Sequence, residues 1–210
     1  MNRPEGRAGA RGHETEDPMN AARLLPFTLL LALAACTTTT EKDGVPAGRP
    51  NAMMQADVQR RIDELRYLHD QELLDTMLHL ASLGDAAVPQ IRAGSRTDDW
   101  FTRASLAWVM GATGDRRYIP DLRRLVADPV KGVRFEASAA LVELGDNAGF
   151  PTLVEGLSDQ DLKTRYKCFE ALRRATGQDF GYQHDAAPDA RRAAITRWND
   201  WLETLKASAL

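Results

Sequence analysis

The chain has few residues of the kinds that build disulfide, metal or cofactor sites. Its 210 residues include two cysteines, Cys36 and Cys168, and no CxxC pair, which argues against zinc ribbons and thioredoxin-like redox sites. The sequence also lacks the signature motifs of nucleotide-binding loops, zinc proteases and serine hydrolases. We therefore expect no catalytic, cofactor-binding or metal-binding residues, no cofactor and no enzymatic activity.

An excess of basic residues is absent as well. The chain has 27 lysines and arginines against 30 aspartates and glutamates, for a net charge of −3. Domains that bind DNA or RNA usually carry a strongly basic surface, because each neutralised phosphate releases counterions. The charge balance therefore predicts that nucleic acid is not the partner, and it leaves the oligomeric state open.

Continuous apolar sequence is limited to one run, LLPFTLLLALAA at residues 24–35. At ~1.5 Å per residue this run would form roughly 18 Å of helix, short of the ~30 Å hydrocarbon core of a bilayer. A run of this length directly behind Arg23 is typical of the hydrophobic region of a signal peptide. The run leads into the tetrapeptide LAAC at residues 33–36, which resembles the lipobox of bacterial lipoproteins.

This resemblance implies that Cys36 is acylated on Sγ, that residues 1–35 are removed as a signal peptide, and that lipid holds the chain at a membrane. Met19 is an alternative start that would give a leader without acidic residues. By similarity to enterobacterial lipoproteins, Thr37 favours the periplasmic face of the outer membrane over the inner membrane. Residues 36–53 lack an apolar period, so a flexible tether is expected there.

A period of 31 residues organises the rest of the chain. Within each period, apolar residues at i, i+3, i+4 and i+7 predict a first helix, a glycine ends it, and a proline begins a second helix. The residues that recur are Arg103, Arg134 and Arg165; Gly114 and Gly145; and Pro89, Pro120 and Pro151. The period therefore predicts a series of helical hairpins.

Charged residues also recur in the repeat. Asp98, Asp128 and Asp159 precede successive first helices, where a carboxylate favours the N-terminal dipole. The recurring arginines are interpreted as a structural ladder of Arg–Asp pairs between adjacent hairpins, rather than as a row of binding residues.

The repeat resembles a known family, the short HEAT-like repeat of the phycobilisome-lyase type. The resemblance rests on VRFEA at residues 133–137, LGD at 144–146 and FPTL at 150–153, and it covers residues 70–176. It implies an all-α fold, an α-α superhelix with about 3–4 helical-hairpin repeats.

Both ends of the repeat array are expected to be capped. Residues 54–69 predict an N-terminal cap helix, and residues 177–210 predict an aromatic loop followed by a C-terminal cap helix. The loop contains Phe180, Tyr182 and His184, and its role is left open.

In solenoids of this type we expect the second helices to line a concave surface that binds a partner. Arginines are dense there, which favours an acidic protein or peptide segment. The residues of this second-helix face are Gln90, Arg92, Arg116, Arg117, Asp121, Arg123, Arg124, Thr152 and Glu155. The sequence thus predicts a lipid-anchored, non-enzymatic protein–protein interaction module, a scaffold or adaptor.

The alternative function is that of a lyase-like or ligand-binding protein acting on a tetrapyrrole or another small molecule. Such a protein needs a pocket of ligand size and a reactive group, and Cys168 is the only candidate thiol. Cys168 aligns with Leu106 and Ala137 in the repeat, which favours a small core residue instead.

Overall fold

The structure, a computed structural model, describes residues 52–208. The expected signal peptide, Cys36 and residues 37–51 of the expected tether lie outside the described residues. The described residues all belong to the second of the two units into which the chain divides, residues 45–210.

Residues 52–208 form nine α-helices and no strand. The helices are α1 (Ala52–Glu64), α2 (Asp70–Ser82), α3 (Val88–Gly94), α4 (Trp100–Ala112), α5 (Ile119–Leu125), α6 (Lys131–Glu143), α7 (Phe150–Gly156), α8 (Leu162–Thr176) and α9 (Pro188–Ser208). The pairs α2–α3, α4–α5 and α6–α7 are helical hairpins, and α8 is a first helix without a second. The all-α superhelix expected from the repeat is confirmed. Within the described part of the chain, no helix has the length and apolar character needed to cross a bilayer.

Glycine and proline set the ends of these helices as the repeat predicts. Gly114 and Gly145 follow α4 and α6 with φ of +68° and +74°, a left-handed conformation that only glycine adopts without steric cost. One turn of 3₁₀ helix follows each glycine. The second helix then begins with its proline in the first turn, where a missing N–H costs nothing.

The first helices pack directly against each other along the array. α4 and α6 approach so closely that a Cβ added at Gly111 would lie 2.8 Å from the Cβ of Ala140. Leu106, Met110 and Leu141 are fully buried between them. Burial of each such side chain stabilises the fold by roughly 1.5–3 kcal/mol.

The second helices are short and packed differently. Each has seven residues against thirteen or more in the first helices. α5 packs on α6 and α7 packs on α8, whereas successive second helices hardly touch one another. The array is therefore held together mainly through its first helices.

The two ends of the described chain are closed by helices. α1 begins at Ala52, inside the range expected for the tether, and buries Val58 and Ile62. At the other end α9 buries Trp198, whose ring meets Phe180 edge-on at 4.7 Å. In the aromatic loop, the buried Tyr182 hydroxyl donates to the Leu157 carbonyl at 2.6 Å.

The carboxylates that cap the first helices are not the recurring ones. Asp99 and Asp161 are the caps of α4 and α8, and each accepts the backbone N–H three residues later at 2.8 Å. The Asp98 carboxylate makes no hydrogen bond among residues 52–208. Asp128 and Asp159 each accept the N–H two residues later at 2.9 Å, and both also hold a cation of the previous hairpin.

Candidate partner-binding surfaces

The recurring arginines close the turns that join one hairpin to the next. Arg103, Arg134 and Arg165 each donate from Nη1 to the carbonyls five and six residues earlier, at 2.8–3.1 Å. This shared contact explains why arginine recurs at the position, because one guanidinium can fix both carbonyls of a tight turn.

The expected Arg–Asp ladder is present at one step only. Arg103 pairs bidentately with Asp128, through Nε–Oδ2 at 2.7 Å and Nη2–Oδ1 at 3.0 Å. At the next step, Lys131 pairs with Asp159, with Nζ 2.7 Å from Oδ2. Arg134 makes no ion pair within residues 52–208. Arg165 instead donates from Nε to the carbonyl of His184 at 2.7 Å.

The arginines of the second-helix face are engaged within the chain. Arg92 Nε lies 3.0 Å from Asp121 Oδ2, and Arg123 Nη2 lies 2.8 Å from Asp146 Oδ2. Arg117 pairs with Asp115 at 2.6 Å and with Asp85. These pairs hold neighbouring hairpins or turns together.

The two remaining arginines of this face bond to main chain. Arg116 Nη1 donates to the Leu144 carbonyl at 2.7 Å, and Arg124 Nη2 donates to the Ser95 carbonyl at 3.1 Å. All five arginines therefore have structural partners, although Arg117 and Arg123 keep 58% and 61% of their side chains exposed. The other members of the face, Gln90, Thr152 and Glu155, lie on α3 and α7.

The structure has a groove on the first helices, away from the second helices, where the partner-binding surface was expected. This apolar groove has a volume of about 390 Å³ and crosses α2, α4, α6 and α8. It is lined by Leu73, Leu74, Met77, Trp100, Phe101, Ala104, Ser105, Trp108, Gly132, Phe135, Glu136, Ala139, Leu153, Thr164, Lys167 and Cys168.

Large apolar side chains of the groove remain open to solvent. Trp100, the first residue of α4, is 49% exposed, and Leu74 on α2 is 38% exposed. The Trp100 ring meets Phe101 edge-on at 5.7 Å, which fixes its orientation. Because these exposed apolar side chains cluster in one groove and are not scattered singly over the surface, the groove is a candidate binding site.

Polar groups lie mainly at the α8 side of the groove. Lys167 Nζ on α8 bonds Glu136 Oε1 on α6 at 2.6 Å, and Arg174 on α8 pairs with Glu143 on α6 at 2.8 Å. Lys163, one turn before Lys167 on the same side of α8, has no ion-pair partner within residues 52–208.

The helix at the opposite side of the groove, α2, has a net negative charge. α2 carries Asp70, Glu72 and Asp75 and neither lysine nor arginine. α8 carries five lysines and arginines and one glutamate, Glu170. The groove itself is therefore mainly apolar, and the helices at its two ends carry opposite net charges.

Cys168 lies under the groove and is held there by close packing. Burial raises the pKa of its thiol to about 12, so the sulfur is protonated at neutral pH. Gly156 of α7 packs so tightly against it that an added Cβ would lie 2.3 Å from Sγ. The thiol is thus a core group, as its position in the repeat predicts.

Sequence reasoning missed the groove, although one signal for it is present. α4 reads WFTRASLAWVMGA, with apolar residues around the whole helix rather than along one stripe. A helix that is apolar all round is either fully buried or covered by a partner. Trp100, Phe101 and Trp108 lie outside the buried stripe and line the groove.

The fold and its surfaces define an α-α solenoid with an open apolar groove along its first helices. Residues 88–173, from α3 into α8, match the family model for HEAT repeats. This part of the chain is therefore HEAT-like, as the repeat pattern predicts. A comparison with curated proteins gives no significant match. Among residues 52–208, no three His, Cys, Asp or Glu side chains come together in a way that could hold a metal ion.

Proposed function

We propose that this chain is a non-enzymatic interaction module that binds a partner protein in the apolar groove and is held at the bacterial envelope by lipid on Cys36. HEAT repeats generally mediate protein–protein interaction, and residues 88–173 match them. The observation that carries the proposal is the exposure of Trp100 inside a groove formed by four helices.

The energetics of the exposed groove favour coverage by a partner. Each Å² of apolar surface removed from water contributes roughly 25 cal/mol. A tryptophan at the centre of such a surface commonly acts as a hot spot, whose truncation costs about 2 kcal/mol or more of binding free energy. Trp100 and Leu74 supply this exposed apolar surface from adjacent first helices.

The second-helix face is the other candidate surface, for an acidic segment of the partner. Arg117 and Arg123 keep more than half of their side chains exposed. However, each already donates to a carboxylate of this chain, so a new acidic ligand would have to compete with Asp115 or Asp146. The groove has no such competitor, which makes it the better-supported surface.

A lyase-like function has less support. The groove has the volume of a small-molecule site, for which roughly 300–1,000 Å³ is usual. Its thiol, Cys168, is protonated and packed against Gly156, so it is a poor nucleophile. The finer resemblance to phycobilisome-lyase-type repeats stays a prediction.

The anchoring part of the proposal comes from the sequence. The LAAC tetrapeptide at residues 33–36 favours acylation of Cys36, and Thr37 favours the periplasmic face of the outer membrane. Residues 36–51 precede α1. A coil of this length has a root-mean-square reach of roughly 20–24 Å, enough to hold a small solenoid clear of the lipid headgroups.

In-cell crosslinking tests the proposed surface. A photo-crosslinking amino acid in place of Leu74 in the groove should capture the partner protein. The same amino acid in place of Leu162 is the matched control, because Leu162 is 47% exposed on α8 but does not line the groove. Thr152 reports on the second-helix face. Capture from Thr152 or Leu162 but not from Leu74 would refute the groove as the binding surface.

A further inference from the structure

The length of the groove limits what can fill it. Apart from Leu153 of α7, its lining residues come from four successive first helices, α2, α4, α6 and α8. Packed helix axes lie 8–10 Å apart, so three steps span roughly 24–30 Å. At ~1.5 Å per residue, a helix of roughly 16–20 residues has the same length.

The chemistry of the lining favours a helix over an extended strand. The hydrogen-bonding groups of the lining are few: the side chains of Ser105, Glu136, Thr164 and Lys167 and the indole N–H groups of the two tryptophans. Glu136 and Lys167 already bond each other. An extended segment would leave backbone N–H and C=O groups unpaired against the apolar wall. A helix satisfies these groups internally and presents an apolar stripe to the groove.

The charges at the two ends of the groove determine which end of the bound segment is basic and which is acidic. At the α2 end, Asp70 lies on the helix face of the lining residues Leu73 and Leu74, and Glu72 and Asp75 add negative charge to the same helix. The α8 end carries Lys163 beside Lys167. A complementary helix is basic where it crosses α2 and acidic where it crosses α8. Glu136 partly neutralises the charge of Lys167, so Lys163 is the main cation at the α8 end without an ion-pair partner among residues 52–208.

The stability of the bound helix then determines which of its ends is the N-terminus. Acidic residues are favourable in the first turn of a helix and basic residues in the last, because they complement the macrodipole. The dipole itself amounts to about half a charge at each end, so two or three full side-chain charges outweigh it. The acidic end of the occupant is therefore its N-terminus.

We infer that the partner inserts one amphipathic α-helix of about four to five turns into the groove, with its acidic N-terminal end over α8 and its basic C-terminal end over α2. This inference rests on the proposed function and names the structural element of the partner that the groove binds. It specifies the occupant by length, apolar stripe and charge order.

Binding of two synthetic peptides tests the inference. Each peptide has roughly 18 residues, the helix length that spans the groove, with leucines at i, i+3, i+4 and i+7. The first has glutamates in its first turns and lysines in its last, and the second has lysines at both ends, so that it cannot match the charges of the groove in either direction. Fluorescence anisotropy with the full chain carrying Cys36→Ala should give a Kd at least about tenfold lower for the first peptide, since a difference of 1.4 kcal/mol is tenfold.

Substitutions in the protein supply the controls. Trp100→Glu should weaken binding of the first peptide about thirtyfold, the Kd change of a hot spot worth 2 kcal/mol. Leu162→Glu should leave the Kd unchanged, because Leu162 occupies the equivalent position of its repeat outside the groove. Lys163→Glu together with Lys167→Glu should reverse the preference between the peptides.

Three results would overturn the inference. The first is equal affinity for both peptides, the second is an unchanged preference in the Lys163→Glu, Lys167→Glu variant, and the third is binding of a labelled fatty acid but of neither peptide. If crosslinks from Leu74 still capture one protein in cells while no peptide binds, the occupant is not a helix and the proposed function stands. If no protein is captured either, both fail.

Discussion

Arg103 and Asp128 form a two-point ion pair between residues 25 positions apart, at 2.7 and 3.0 Å. Their side chains are only 11% and 6% exposed. The same guanidinium holds the carbonyls of Thr97 and Asp98. One side chain thus ties the turn before α4 to the turn before α6, so loss of its partner affects two hairpins.

Removal of this carboxylate should destabilise the fold. Asp128→Ala leaves the largely buried Arg103 without its counter-charge, and we expect a loss of about 3 kcal/mol in the free energy of unfolding. Asp98→Ala is the control, because the Asp98 carboxylate makes no hydrogen bond or ion pair among residues 52–208, and it should change stability by less than about 0.5 kcal/mol. Urea denaturation measures both, and equal losses would contradict the structural role of the pair.

Stability should fall in acid. Burial alone would raise the pKa of Asp128, but hydrogen bonds from Arg103 and the Val130 N–H outweigh it and the net pKa is lowered. The pKa of Asp159 is lowered in the same way by Lys131. A carboxyl group with a lowered pKa stabilises the fold above its unfolded value, about 3.9, and this contribution is lost as the pH falls through the folded pKa.

The expected result is a melting temperature that is steady near neutral pH and decreases below about pH 4. Asp128→Asn should make the melting temperature fall less steeply with decreasing pH, because the variant lacks one of the carboxyl groups whose protonation destabilises the fold. A wild-type melting temperature that stays constant from neutral pH to pH 3 would show that these ion pairs contribute nothing to stability.

The packing of α4 on α6 is tested by one buried charge. Leu141 is fully buried on α6, and Leu141→Asp should cost about 4 kcal/mol or more because the carboxylate has no partner there. Leu162→Asp makes the same chemical change at a residue that is 47% exposed, and it should have little effect. Thermal denaturation followed by circular dichroism separates the two, and similar melting temperatures would contradict the packing.

Lipid attachment is tested at Cys36. Cys36→Ala should abolish incorporation of labelled palmitate, because it removes the proposed site of acylation. The protein should then move from the membrane fraction to the soluble fraction, because stable anchoring requires more than one acyl chain and the variant would have lost the lipid on Cys36. Wild-type protein grown alongside is the reference. A variant that still sediments with membranes would refute anchoring through this residue.

The hairpins of this fold are predictable from sequence because their signals are local. Gly114 and Gly145 adopt the left-handed conformation within two residues of a helix end, and Pro120 and Pro151 lie in the first turn of the next helix. Each signal depends only on residues nearby in the chain, so the 31-residue repeat pattern is enough to locate the ends of the helices.

The binding surfaces are less predictable because they depend on distant partners. Arg124 contacts Ser95 across 29 residues, and nothing near Arg124 in the sequence indicates this bond. Trp100 and Leu162 occupy equivalent positions of the repeat and are exposed to the same extent, yet only Trp100 lines the groove. The difference comes from the neighbouring first helices: α4, which carries Trp100, packs against both α2 and α6, whereas α8, which carries Leu162, packs against α6 alone among the first helices.

The most direct test of the account is recovery of the partner protein after crosslinking in intact cells. Four forms of the full chain are compared: wild type, Trp100→Glu, Leu162→Glu, and the pair Arg123→Glu with Arg124→Glu. Trp100→Glu should abolish recovery while Leu162→Glu and the arginine pair leave most of it. Full recovery with Trp100→Glu, together with loss in the arginine variant, would contradict the groove and assign binding to the second-helix face.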